Sequence, residues 1–137
     1  MGEDGYGEGS LPMTAWTADE LNDLASTVEM RIAALRPDGT PRSPVIVWVV
    51  RVGDDLYVRS YRGADAAWFR GTRACAEGII EAGDTTWDVA FVDEPDPATN
   101  DRIDAAYRTK YADHGAEYVD AMVTPEVRAT TIKLVPR

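Results

Sequence analysis

The fold is decided by residues 42–73, which read RSPVIVWVVRVGDDLYVRSYRGADAAWFRGTR. Residues 45–50 (VIVWVV) form an unbroken run of β-branched and aromatic side chains, which predicts a strand buried on both faces. Gly53-Asp54-Asp55 follows as a hairpin turn. In residues 56–61, one face carries Leu, Val and Ser and the other carries Tyr, Arg and Tyr. This alternation predicts a second strand.

The end of this second strand carries groups that bind anions. It finishes in Arg59 and Ser60, and Arg62-Gly63 lead into a short helix-like segment at residues 64–72 (ADAAWFRGT). Backbone N–H groups at a helix start, together with a hydroxyl and guanidinium groups, suit a phosphate. We therefore predict a phosphate-bearing ligand at this bend. The alternative is a simple turn whose arginines point into water.

The charge distribution favours the same class of ligand. The chain has 14 basic and 24 acidic residues, for a formal net charge of −10. Residues 31–73 nevertheless contain eight arginines against four aspartates, so this segment carries +4 and the remainder carries −14. An acidic protein repels nucleic acid and anionic membranes, so neither is expected as a partner. A small anionic ligand at the basic segment is expected instead.

Length and composition limit the class of protein. A chain of 137 residues suffices for one domain with a single core. No apolar run approaches the ~18–20 residues of a membrane span. Cys75 and His114 are the only residues of their types, so no intrachain disulfide and no Cys/His metal site are expected, and we place the protein in the cytoplasm. The glycine-rich, acidic residues 1–13 are expected to be a disordered leader, and residues 14–137 to form the domain.

The rest of the chain predicts short strands with few helices. Thr17-Ala18-Asp19-Glu20 is a capping box that starts the first helix. Together with the central hairpin, the predicted strands are residues 29–36, 74–81, 85–93 and 127–135, and two further helices cover about 99–113 and 117–123. This order indicates a mainly β protein (β+α), a six-stranded antiparallel barrel with flanking helices whose last strand seals the edge left by the early ones.

Two motifs resemble a known superfamily. Residues 36–48 (RPDGTPRSPVIVW) and 56–70 (LYVRSYRGADAAWFR) are similar to the flavin-binding split β-barrel superfamily, which includes pyridoxamine phosphate oxidases and deazaflavin-dependent nitroreductases. The greatest similarity is to a bacterial group of uncharacterised proteins in that superfamily. It covers roughly residues 17–135, and residues 36–75 carry its discriminating part. The resemblance implies a split barrel that forms a homodimer, with FMN or a deazaflavin coenzyme bound at the subunit interface.

The resemblance also assigns cofactor-binding residues. The family holds the cofactor phosphate at the turn and helix after its third strand. The matching positions are Ser60 and Gly63 at that turn, Trp68 and Phe69 for the family's W-[YF], and Arg42 and Pro44 for its R-x-x-P, here one residue shorter. The chain departs from the family where a phosphate-binding lysine is expected, since Asp65 and Ala66 occupy that region. Arg59, Arg62 and Arg70 are able to replace it, because a guanidinium binds phosphate oxygens in pairs.

Three functions follow from these residues. The first is a flavin- or deazaflavin-dependent oxidoreductase that transfers hydride to or from a small organic substrate, with Trp48 and Trp68 beside the ring. The second is an enzyme on the same barrel that has lost flavin and acts by acid–base catalysis. The third is a non-catalytic binder of an anionic ligand. The candidates for catalytic residues are Tyr107, Tyr111 and His114; each also suits a purely structural role.

Overall fold

A computed structural model describes residues 15–137 of the chain. The expected leader, residues 1–13, lies outside the described residues. Seven strands are present in this part: β1 Met30–Ala34, β2 Val45–Val47, β3 Val49–Val52, β4 Asp55–Val58, β5 Glu77–Ala82, β6 Thr85–Asp93 and β7 Ile132–Pro136. The α-helices are α1 Ala18–Ala25, α2 Ala67–Ala74, α3 Pro97–Lys110, α4 Ala116–Met122 and α5 Pro125–Arg128, with 3-10 turns at Gly63–Asp65 and Ala112–His114.

The strands form one antiparallel sheet that curves round into a nearly closed barrel. The sheet order is β2-β1-β5-β6-β7-β4-β3. Its two outer strands, β2 and β3, are the two halves of one extended segment, separated only by Trp48. The predicted barrel with flanking helices is therefore confirmed. The count of six strands becomes seven because the strand expected at residues 45–50 is divided at Trp48.

Two hydrophobic clusters lie on opposite sides of the barrel wall. Val49, Leu56 and Val58 point into the barrel interior, whereas Val50 and Tyr57 point outward and pack under α3, α4 and α5. The alternation of side chains that predicted the second strand therefore places successive residues in one cluster and then the other. The first half of the split strand differs from the expectation of burial on both faces, since Ile46 is 56 % exposed.

Local signals predicted some element bounds and missed others. The capping box is confirmed: the Thr17 hydroxyl accepts a bond from the Glu20 backbone N–H at 3.1 Å, and a Glu20 carboxylate oxygen accepts one from the Thr17 N–H at 2.9 Å. The strand expected over 127–135 is wrong in its first half. Thr124 caps α5 with Pro125 at its start, so Val127 is helical and β7 begins at Ile132.

Within residues 15–137, none of the helices combines the length and the apolar character that crossing a membrane requires.

Candidate functional site

An open cavity of about 470 Å³ lies beside the split in the barrel strand. All of β2 and Trp48 line it, so the cavity follows the edge of the sheet at which β2 has no further strand partner within the described sheet. The opposite wall comes from the segment after β4 and from α4. Its lining residues are Val45, Ile46, Val47, Trp48, Arg59, Tyr61, Arg62, Ala66, Ala67, Trp68, Tyr118 and Met122.

Two tryptophans predicted for the site form part of its walls. Trp48 stacks on Tyr111 with ring centroids 4.0 Å apart and an interplanar angle of 5°, which fixes the orientation of its indole. Trp68 lies in the first turn of α2 and meets Phe69 edge-on at 6.1 Å. Large flat apolar surfaces with restricted rotamers are suited to hold a planar ring system.

One end of the cavity is electropositive. Arg62 lines it, and the Arg62 guanidinium takes part in none of the ion pairs formed within residues 15–137. The start of α2 also lines it, and Ala66 at the N-cap position provides no side chain to satisfy the free N–H groups of the first turn. A free guanidinium and an uncapped helix start together attract an anion. The small side chains of Ala66 and Ala67 leave room for it to approach.

The Ser60–Gly63 turn is closed by its own hydrogen bonds. The Ser60 hydroxyl donates to the Gly63 carbonyl at 2.7 Å, and the Gly63 N–H donates to the Ser60 carbonyl at 2.9 Å. Ser60 is fully buried, and the positive φ of 79° at Gly63 is one that glycine adopts without strain. These two residues therefore shape the bend that presents Arg62, and neither of them lines the cavity.

Arg59 contributes to the cavity wall, but its donors are all used inside the protein. The Nε–H donates to the Thr131 hydroxyl at 2.9 Å; Nη1 donates to the Asp104 carboxylate at 2.5 Å and to the Met122 carbonyl at 3.0 Å. Nη2 donates to the side-chain and main-chain oxygens of Asn100 at 2.9 and 3.2 Å. A guanidinium has five N–H groups, and five are occupied. Arg59 joins β4 to three other segments, which leaves it no donor for a ligand.

The other predicted cofactor residues lie elsewhere. Arg42 and Pro44 line a separate groove of about 340 Å³, and the Arg42 Nε is buried without a hydrogen-bond partner within residues 15–137. The Arg42 side chain lies over Gly71, in the second half of α2. Arg70 donates to the Asp65 carbonyl at 2.6 Å on the surface. The structure therefore brings Trp48, Arg59, Arg62 and Trp68 together and separates Arg42, Pro44 and Arg70 from them.

Tyr107 and Tyr111 face the strand split from α3. Both are fully buried. The Tyr107 hydroxyl donates to the Trp48 carbonyl at 2.8 Å, and the Tyr111 hydroxyl donates to the Val28 carbonyl at 2.6 Å and approaches the Val49 carbonyl at 3.3 Å. Burial raises the pKa of both hydroxyls well above the usual range, so both are protonated near neutral pH and donate these hydrogen bonds.

We expect Tyr107→Phe to reduce stability without affecting the cavity. The change leaves the partly buried Trp48 carbonyl without this donor, which costs about 1–2 kcal/mol of unfolding free energy in a denaturant titration. Ligand affinity should stay within roughly twofold of the wild type, because the hydroxyl does not line the cavity. A loss of activity with unchanged stability would instead support a catalytic role for Tyr107.

His114 is exposed and packs edge-on against Trp48 and Tyr111, with ring centroids 5.7 and 5.3 Å away. It supports the outer side of the Trp48 stack and does not line the cavity. No group of three or more His, Cys, Asp or Glu side chains that could hold a metal ion occurs within residues 15–137.

The site residues predicted from the sequence do not include the exposed part of the cavity wall. Tyr61 and Tyr118 lie at its mouth, 50 % and 49 % exposed, with ring centroids 6.4 Å apart, and Ile46 is nearby in the lining. Tyr61 lies two residues after Arg59, on the same face of the predicted strand. That spacing could have identified Tyr61 as a residue of the cavity wall. Tyr118 comes from a helix far along the chain, and no local pattern places it at this mouth.

A family profile matches residues 20–134, and the family is described as "Uncharacterized protein conserved in bacteria (DUF2255)". The chain belongs to this family. No curated protein sequence is significantly similar to the chain.

Solved structures share its fold at low sequence identity. A candidate pyridoxamine 5′-phosphate oxidase from Listeria innocua has a TM-score of 0.57 at 17 % identity, covering 85 % of this chain and 90 % of that one. HutZ, the heme storage protein of Vibrio cholerae, has a TM-score of 0.59 at 10 % identity, covering 93 % and 92 %. An FAD-binding protein from Mesorhizobium loti has a TM-score of 0.53 at 19 % identity, covering 90 % and 91 %. The fold that the resemblance of residues 36–75 implies is therefore confirmed.

Proposed function

We propose that this DUF2255 family member binds FMN or a deazaflavin coenzyme in the cavity beside Trp48 and transfers hydride between that coenzyme and a small organic substrate. One observation carries the proposal. The cavity has, at one end, a guanidinium that forms no ion pair within residues 15–137 and a helix start without a side-chain cap, and it has two tryptophans in its walls. That combination matches a ligand with a phosphate at one end and a flat aromatic ring system at the other.

The lining of the cavity favours a flavin-type ligand over heme. One relative is an FAD-binding protein, and another is a heme storage protein. Histidine is a frequent axial ligand of heme iron. The only histidine of this chain, His114, does not line the cavity. The lining does contain cationic and aromatic groups, which suit a flavin phosphate and ring.

The protein's own contribution is binding, orientation and exclusion of water. A bound flavin or deazaflavin supplies the hydride chemistry. Arg62 and the first turn of α2 hold the anionic end, and Trp48 and Trp68 restrict the ring plane. Acid–base catalysis without a cofactor has few candidate groups here, because within residues 15–137 the lining of the cavity includes the tyrosines Tyr61 and Tyr118 but no Asp, Glu or His.

We also propose that the functional unit is a cytoplasmic homodimer with the cavity at its interface. Three of the five large hydrophobic side chains that are exposed within residues 15–137 line this cavity, namely Ile46, Tyr61 and Tyr118. A cluster of exposed apolar side chains at one cavity mouth is typical of a surface that a partner covers. A second copy that covers this mouth also closes the open side of the ligand site.

The dimer proposal predicts a strong effect of a charge at Ile46. Ile46→Asp should give a monomer in sedimentation velocity, because an interface does not tolerate a buried, unpaired carboxylate. The control is Val28→Asp, which changes a side chain that is 43 % exposed and outside the cavity lining. A wild-type monomer at all concentrations, or equal effects of the two variants, would contradict the proposed interface.

Fluorescence titration with FMN and with a deazaflavin coenzyme tests the ligand. We expect saturable binding of one of them, and about tenfold to a hundredfold weaker binding by Arg62→Gln, because a charge-assisted hydrogen bond contributes roughly 1.5–3 kcal/mol. Arg70→Gln is the matched control. It removes an equal charge eight residues away, from a guanidinium bonded to Asp65 outside the cavity.

The outcomes separate the competing functions. Binding of neither coenzyme would overturn the proposal. Binding without reduction or oxidation of any offered substrate would favour the non-catalytic binder. Equal losses in Arg62→Gln and Arg70→Gln would show that net charge, and not the cavity, determines affinity.

A further inference from the structure

A second groove on the other side of the split strand carries positive charge. It has a volume of about 420 Å³, lies between α1, β3 and α3, and shares no lining residue with the cavity beside Trp48. Its charged lining residues are Arg51, Arg102 and Lys110, and none of its lining residues within 15–137 is acidic. In a protein of net charge −10, such a groove attracts small anions locally.

The side chain of Lys110 is partly buried in this groove. Its Nζ donates to the Val49 carbonyl at 2.6 Å and lies 5.2 Å from the centre of the Tyr111 ring. Burial lowers the pKa of the Lys110 amine from 10.5 to about 8. A much larger fraction of this amine is therefore unprotonated near neutral pH than in an exposed lysine. An unprotonated amine donates one hydrogen to Val49 and still has a free lone pair.

We propose that Lys110 is a site of Nε-acylation and that the groove recruits an anionic acyl donor of the acyl phosphate class. The amine nitrogen attacks the carbonyl carbon of the donor. The new N–C bond forms as the C–O bond to phosphate breaks, phosphate leaves with the bonding electron pair, and the amine proton passes to solvent. Arg102, which is exposed on the same helix, attracts the donor's phosphate. The product is an amide, so the positive charge at residue 110 is lost.

The chain contains its own reference for this reaction. Lys133 in β7 is the only other lysine, and it does not line the groove. The full-length protein is incubated with acetyl phosphate at a pH near the Lys110 pKa, and the occupancy of each lysine is measured by mass spectrometry over time. We expect Lys110 to be acetylated roughly tenfold or more faster than Lys133, because only Lys110 lines the basic groove that attracts the anionic donor.

Two variants test the role of the groove. Arg102→Gln should slow acetylation of Lys110 by acetyl phosphate several-fold and leave its reaction with a neutral acetylating reagent unchanged. Arg108→Gln removes an equal charge from the same helix, outside the groove, and should alter neither reaction. Equal rates at Lys110 and Lys133 would overturn the proposal. So would an Arg102→Gln effect that is the same for the anionic and neutral donors, or is matched by Arg108→Gln.

Discussion

Replacing Arg59 with methionine is expected to lower the free energy of unfolding by about 3–5 kcal/mol. The Arg59 side chain is completely buried, and its five N–H groups bind Thr131, Asp104, Met122 and Asn100. Methionine fills a similar volume but removes all five donors. The Thr131 hydroxyl still donates to Asn100 Oδ1, and Arg128 still donates to the Asp104 carboxylate. The measurement is a denaturant titration followed by tryptophan fluorescence, with a matching loss of thermal stability.

The control for Arg59 is an arginine in an exposed ion pair. Arg108 binds Asp120 at 3.0 Å, with side chains that are 55 % and 67 % exposed. Arg108→Met should cost no more than about 1 kcal/mol, because solvent screens such a pair. If Arg59→Met and Arg108→Met had similar small effects, Arg59 would not be the structural centre that its hydrogen bonds indicate. If Arg59→Met kept full stability and lost ligand affinity, Arg59 would be a ligand-binding residue after all.

Gly78→Ala should destabilise the barrel by about 3 kcal/mol. Gly78 lies in β5 opposite Ala34 of β1. A Cβ atom at this position would lie 2.3 Å from the Ala33 carbonyl oxygen and 2.6 Å from the Phe91 ring. The ring is able to shift, but the carbonyl belongs to the neighbouring strand, so the two strands must move apart. Denaturant titration of the variant measures the cost.

Gly71→Ala is the control for this effect of crowding. Gly71 is also buried, but its added Cβ would lie 3.2 Å from Cδ of the flexible Arg42 side chain. Alanine is the better helix former by roughly 1 kcal/mol, so the variant should be neutral or slightly more stable. Equal destabilisation by both changes would mean that the close approach of β1 and β5 at Gly78 is not the cause of the lost stability.

Signals that lie within a few residues of one another predicted the local structure well. The Gly53-Asp54 turn joins β3 to β4 with a positive φ of 62° at the glycine, as the sequence indicates. The capping box at Thr17 and the alternation after Leu56 also depend only on neighbours. Gly78 carried a usable signal as well, since a glycine inside a strand often marks the close approach of another backbone.

Features that depend on distant residues could not be predicted. Nothing near Trp48 shows that the strand divides there, because the Trp48 carbonyl is satisfied by a tyrosine 59 residues away. In the same way, the sequence alone does not distinguish Arg59 from Arg62 as the arginine that binds an anion. The acceptors that occupy Arg59 come from positions 100–131, whereas Arg62 forms no ion pair within residues 15–137.

The most direct test of the central claim compares FMN with riboflavin, which differ only in the phosphate, on the wild type and on Arg62→Gln. If the cavity holds the phosphate at Arg62 and the start of α2, the wild type binds FMN roughly 10–100-fold more tightly than riboflavin, and the substitution removes most of that difference. A deazaflavin coenzyme and its phosphate-free form make the same comparison if FMN does not bind. Equal affinity for the phosphorylated and phosphate-free ligands, or a preference that Arg62→Gln leaves intact, would contradict the account.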